Sequence, residues 1–206
     1  MKTMPPILLK ATPLILPKPG NFEYEEKRSR FIGFCTPVDT EAKARQVIET
    51  IRAKEKGANH NVFAYSVREG NIIRFNDDGE PGGTAGMPVL NVYQKAGIVD
   101  FVCVVTRYFG GTLLGAGGLV RAYTKAAKGA MEAAGPKEEV YSKFYRVICE
   151  YPQFDKLKYD FDKWEVEVLD IQYTERCTLY VRVLDKLAEP FLEGDFSREE
   201  IKEYKT

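Results

Sequence analysis

VDFVCVVTRYFGGTLLGAGGLVRAYTKAAKGAMEAA, residues 99–134, runs from an apolar block through a glycine-rich turn into a periodic segment. Val99 to Thr106 is nearly all apolar, which predicts a central strand covered on both faces. A loop follows from Tyr108 to Gly118. Beyond it Leu119, Ala122, Tyr123, Ala126, Ala130 and Met131 recur at helical spacing and predict a long amphipathic helix from Leu119 to Ala134. Gly135-Pro136 ends that helix and predicts a domain boundary.

On the N-terminal side of this stretch, residues 1–20 are Pro-rich and aperiodic and predict an extension or edge segment rather than a packed element. Phe31 to Thr36 reads as a strand. Asp39 or Thr40 caps a helix with apolar positions Ala44, Val47, Ile48 and Ile51, and Gly57 stops it. Phe63, Tyr65 and Val67 alternate, the turn Glu69-Gly70 reverses the chain, and Ile72 to Phe75 completes a hairpin. The loop NDDGEPGGTAG, 76–86, leads into a short helix from Met87 to Ala96, closed by Gly97.

On the C-terminal side, the pattern predicts a strand from Val140 to Cys149, a helix around Gln153 to Phe161, two alternating strands joined near Glu175, and a terminal helix. This order, βαββα, predicts a ferredoxin-like antiparallel sheet without a clear last strand. The fold class is therefore α+β, divided into a 1–20 extension, a first domain over 21–136 and a second over 137–206.

At 206 residues the chain has length for two small cores. No apolar run reaches the roughly 20 residues that span a bilayer, and Lys10 with Pro5, Pro6, Pro13 and Pro17 interrupts the apolar start, which argues against a signal peptide. Cys35, Cys103, Cys149 and Cys177 occur singly, as buried reduced thiols do, and this predicts a cytoplasmic protein without membrane contact. His60 is the sole histidine, so a multi-His metal site is excluded. Residues 1–135 carry 18 Lys and Arg against 13 Asp and Glu, while 136–206 carry 12 against 17, a distribution that favours anionic partners for the first part or serves solubility alone.

Within the first domain, Asp77, Asp78 and Glu80 form an acidic cluster on a Gly-rich loop. Such carboxylates hold Mg²⁺ or act as acid and base; equally, they cap backbone N–H groups or pair with arginines. Gly110, Gly111, Gly115, Gly117 and Gly118 can aim N–H groups at an anion, but Val120 replaces the last glycine of a dinucleotide fingerprint and no Gly-Lys-Ser/Thr is present. Arg121, Lys125 and Lys128 share a face of the long helix, and Lys27, Arg28 and Arg30 make a second basic cluster. Both suit RNA phosphates, with Tyr108 and Phe109 available for stacking, or a solvated face. His60 suits a local hydrogen bond, and Arg107 either meets a ligand at the strand end or neutralises the acidic loop.

KRSRFIG (27–33), NHNVFAYSV (59–67), DDGEPGGTAGMPVL (77–90) and VVTRYFGGTLLGAGGLVRAY (104–123) resemble the YigZ/IMPACT family. Asn76 stands where serine is expected before DDGEP. The resemblance implies a first domain like the second domain of ribosomal protein S5, and a C-terminal part like the ferredoxin-like domains of elongation factor G. It also implies a role in translation, since the eukaryotic members regulate translation; they carry a different N-terminal domain that does not match here, and their partner does not transfer. It supplies no catalytic residues and no cofactor. By its motifs, Asp77, Asp78, Glu80, Arg107, Gly110, Gly111 and Arg121 belong to the expected binding site, and the basic stripe and the stacking ring add Lys125 and Tyr108. The expected partner is RNA, the ribosome or a ribosome-associated protein. The competing expectations are a Mg²⁺-dependent enzyme acting on a small phosphorylated or nucleotide substrate, and a regulator that binds only protein.

Overall fold

The computed structural model describes residues 13–202. The chain divides into two compact units that meet between Glu139 and Val140. The first contains β1 (Leu14–Ile15), β2 (Gly20–Glu26), β3 (Ser29–Pro37), α1 (Glu41–Lys54), β4 (His60–Val67), β5 (Ile72–Asn76), α2 (Gly86–Lys95), β6 (Phe101–Tyr108), α3 (Ala116–Ala134) and β7 (Lys137–Glu138). Strands β2-β3-β6-β4-β5 form one antiparallel sheet with β6 at its centre.

Period-2 alternation gives that sheet two apolar faces. Phe101, Cys103 and Val105 point to a core closed by Val89 and Tyr93 of α2 and by Tyr123, Ala126 and Ala130 of α3. Val102 and Val104 point to the other side, where Ala44 and Ile48 of α1 complete a second cluster. Small residues let α3 lie close to the sheet: a Cβ on Gly33 would stand 2.4 Å from the Ala126 carbonyl oxygen. Thr40 caps α1 by accepting the Lys43 N–H.

In the first unit the structure revises three expectations. Part of the Pro-rich start is packed: β1 pairs with β7, and Leu16 is buried in the main core; residues 1–12 of that stretch lie outside the described residues. Secondly, β2 precedes the first expected strand and joins it through the two-residue turn Lys27-Arg28, both at positive φ (48° and 64°). Its alternation of Phe22 and Tyr24 with glutamates was the available signal. Thirdly, α3 begins at Ala116, so Gly117 and Gly118 are helical rather than loop.

The second unit contains β8 (Ser142–Cys149), α4 (Tyr151–Lys163), β9 (Glu167–Tyr173), β10 (Cys177–Leu184), α5 (Ala188–Glu193) and β11 (Ser197–Ile201). Its antiparallel sheet has the order β11-β8-β10-β9, the ferredoxin-like arrangement. Glu150 and Gln153 form a capping box at the start of α4. Tyr145, Val147, Leu179 and Val181 share the face that packs on Phe161 and Phe191. The last strand, absent from the sequence expectation, is present. It is an edge strand, SREEI, whose polar residues give no alternation to read.

All four cysteines are free and buried. Among the described residues no helix is long and apolar enough to cross a membrane.

Candidate functional site

The loop after β5 places its acids in three directions. The Asp77 carboxylate accepts the N–H groups of Gly83, Ala85 and Gly86 at 2.9, 3.0 and 2.8 Å, closing the loop and capping α2. Asp78, held at φ 47°, accepts from Arg52 of α1 at 3.1 Å and from the Asn61 N–H of β4 at 2.6 Å. Glu80 turns inward: its Oε1 accepts from Arg107 Nη1 at 2.6 Å and from the Tyr123 hydroxyl at 2.7 Å. Among the described residues no group of three or more His, Cys, Asp and Glu side chains is placed to hold a metal ion. Each of the three carboxylates meets a different structural partner, so they do not converge on one point.

Glu80 and Arg107 make a buried pair, with side chains 4% and 5% exposed. Around them stand Ser29, whose hydroxyl lies 3.4 Å from Arg107 Nη2, and the rings of Phe31 and Phe109, centred 5.5 and 5.4 Å from the guanidinium carbon. Burial, and then the hydrogen bond to Glu80, push the Tyr123 hydroxyl well above the ordinary tyrosine value. His60 Nδ1 lies 2.8 Å from the Asp78 carbonyl oxygen. A carbonyl only accepts, so Nδ1 carries a proton and donates it there, while Nε2 lies 3.8 Å from Glu80 Oε1.

This cluster is the floor of an open cleft of about 390 Å³. The glycine-rich loop and the start of α3 form its walls, through Phe109, Leu113, Leu114, Gly115 and Ala116. Gly110 permits the loop to close on the β2–β3 turn: its N–H donates to Ser29 Oγ at 3.2 Å, and a Cβ there would stand 2.0 Å from the Arg28 carbonyl oxygen. Gly111 supplies a positive φ of 81°.

A second concavity, about 240 Å³, lies between the β2–β3 turn and α3 and is lined by Tyr24, Lys27, Leu114, Arg121 and Lys125 together with Glu26. Lys125 Nζ stands 4.2 Å from the centre of the Tyr24 ring. Among the described residues Lys27, Arg28, Arg121 and Lys125 form no ion pair, while Arg30 pairs with Glu23 and Lys128 with Glu132. The two basic clusters of the sequence thus contribute unequally to one groove.

The structure brings together Glu80, Arg107 and Gly110–Gly111 at the cleft, and Arg121 with Lys125 at the groove. It does not bring Tyr108 to either: that ring faces α1, donates its hydroxyl to Glu55 at 2.6 Å and lies beneath Arg30. Alternation along β6 sets it opposite to Arg107. Sequence reasoning missed Ser29, whose place two residues before Phe31 on the buried face was the signal, and treated Tyr123 only as core.

The model for the Impact N-terminal domain matches residues 27–131. The chain belongs to the IMPACT family. A domain family of unknown function, DUF1949, matches residues 147–193. The IMPACT family member YvyE of Bacillus subtilis is 36% identical over 84% of this chain and 81% of its own. YigZ of Escherichia coli, also an IMPACT family member, is 32% identical over 90% and 93%. A crystal structure of a hypothetical protein, 30% identical, superposes with a TM-score of 0.59 over 94% of this chain and 98% of that one.

Proposed function

We propose that this IMPACT family chain is a translation-associated binding protein that meets RNA phosphates on the ribosome through the groove between the β2–β3 turn and α3. The observation that carries the proposal is the convergence of Lys27, Arg121 and Lys125 on one groove without ion-pair partners among the described residues. Unpaired cations on a concave surface raise the local potential that phosphates follow. Glu26 is the one acid lining the groove, against three cations; Asp77, Asp78 and Glu80 are turned to structural partners elsewhere. Membership of a family whose resemblance implies translation regulation supports the same direction. The fold by itself does not specify a partner.

The test is co-sedimentation of the protein with ribosomes and separated subunits at low and raised salt, beside the Arg121→Glu/Lys125→Glu variant. Salt-sensitive pelleting is expected, with loss of two phosphate contacts flattening the logarithmic salt slope by roughly 1.4 to 1.8. Pelleting that ignores both salt and the substitutions would point to a protein partner, and no pelleting at low salt would end the ribosomal reading.

A further inference from the structure

The cleft beside Phe109 has a different chemistry from the groove. On its floor Arg107 uses Nη1 and Nη2 on Glu80 and Ser29, but its Nε–H is buried and has no acceptor. Gly115 and Ala116 open the first turn of α3 onto the same space. The N-cap is Gly115, which offers no capping side chain, so the N–H groups of Ala116, Gly117 and Gly118 lack intrahelical acceptors. They form the positive end of a 19-residue helix. Beside these donors the wall is apolar, built from Phe109, Leu113 and Leu114, with Leu113 82% exposed.

We propose that the cleft binds a small organic carboxylate, its oxygens taking the first-turn amides of α3 and the Arg107 Nε–H while its apolar tail covers Leu113 and Phe109. A monoanion fits better than phosphate. Glu80 already balances Arg107, so the floor offers hydrogen-bond donors rather than net positive charge, and a dianion would face the Glu80 carboxylate at close range. The apolar wall rewards a hydrocarbon group, which inorganic phosphate lacks. Either a free acid or the C-terminal residue of a polypeptide presents this chemistry.

The experiment is an amide-resolved NMR titration of the full chain with N-acetyl-leucine, N-acetyl-leucinamide and inorganic phosphate. N-acetyl-leucine is expected to shift the Ala116, Gly117 and Gly118 amides and the Arg107 Nε–H, and the uncharged leucinamide to bind at least about tenfold more weakly. Ala116→Pro deletes one donor at a position where proline suits a helix start, and should weaken the acid several-fold with α3 intact. Leu113→Glu, at an exposed position, should do the same by repulsion. Added arms with 4-methylpentanoate and with a short leucine-terminated peptide separate the two sources. Equal binding of acid and amide, saturation by phosphate with the same shifts, or unmoved resonances throughout would each overturn the proposal. Leu113→Glu leaves the basic groove intact, so ribosome pelleting and carboxylate binding fail separately.

Discussion

Glu80 and Arg107 meet at 2.6 Å with almost no access to water, a geometry in which each charge depends on the other. Removing one partner of a buried pair typically costs about 3–5 kcal/mol, because the other charge stays desolvated and unpaired. Glu80→Gln is expected to lower the urea midpoint accordingly, and Glu80→Gln/Arg107→Met to recover much of the loss; a double-mutant cycle measures the coupling. Tyr123 supplies a pH signature at the same place. Its hydroxyl is raised from the ordinary value of 10.0, first by burial and then by donating to Glu80. The native state therefore holds the neutral phenol, so this contribution is complete below pH 10 and is lost as the pH climbs beyond it. Unfolding free energy should fall above pH 10 by up to about 1.4 kcal/mol per pH unit on account of this group. Tyr123→Phe should flatten that slope, as read by urea titrations at successive pH values. The acids themselves were legible as a cluster, but their roles were not. Loop dihedrals such as the positive φ of Asp78 send neighbouring side chains in different directions, and spacing in the chain carries no record of that.

The β2–β3 hairpin turns on two non-glycine residues at positive φ, Lys27 and Arg28, where Asn-Gly is the low-strain choice. Exchanging both for Asn-Gly should stabilise the protein by about 0.5–1 kcal/mol in thermal or urea unfolding while weakening ribosome pelleting. Opposite signs in the two measurements would mark residues kept for contact rather than for folding. At the facing loop, Gly110→Ala forces a Cβ against the Arg28 backbone and should cost about 1–3 kcal/mol. Gly111→Ala meets open space and should cost about 1–2 kcal/mol through its φ of 81° alone. Elements with strong periodicity were legible beforehand: α1 with its Thr40 cap, the buried β6 and the alanine-rich face of α3. The weakly patterned ones were not. β1 is two residues long, and β11 is polar at an edge, so their backbone pairing is decided by neighbours remote in sequence.

Each unit closes its own hydrophobic core, the first on both faces of its five-stranded sheet and the second on one face of its four-stranded sheet. Residues 1–139 are therefore expected to fold alone, with dispersed amide resonances and cooperative melting as the check. That fragment also keeps the basic excess of the chain and should retain salt-sensitive ribosome pelleting. At this scale the family motifs and the βαββ part of the ferredoxin-like order were legible in sequence, because turn residues and hydrophobic period are local properties that survive without coordinates. The sequence by itself determined which segments are strands or helices where the period is strong, and that the glycine-rich loop connects a buried strand to a long helix. Only the tertiary structure decided which charges meet. It joined Lys27 to Arg121 and Lys125 across one groove, sent Tyr108 to the far face of the sheet and buried Glu80 on Arg107. These encounters depend on strand order and on the closeness with which glycine and alanine let α3 approach the sheet. Both are products of packing between residues far apart in the chain.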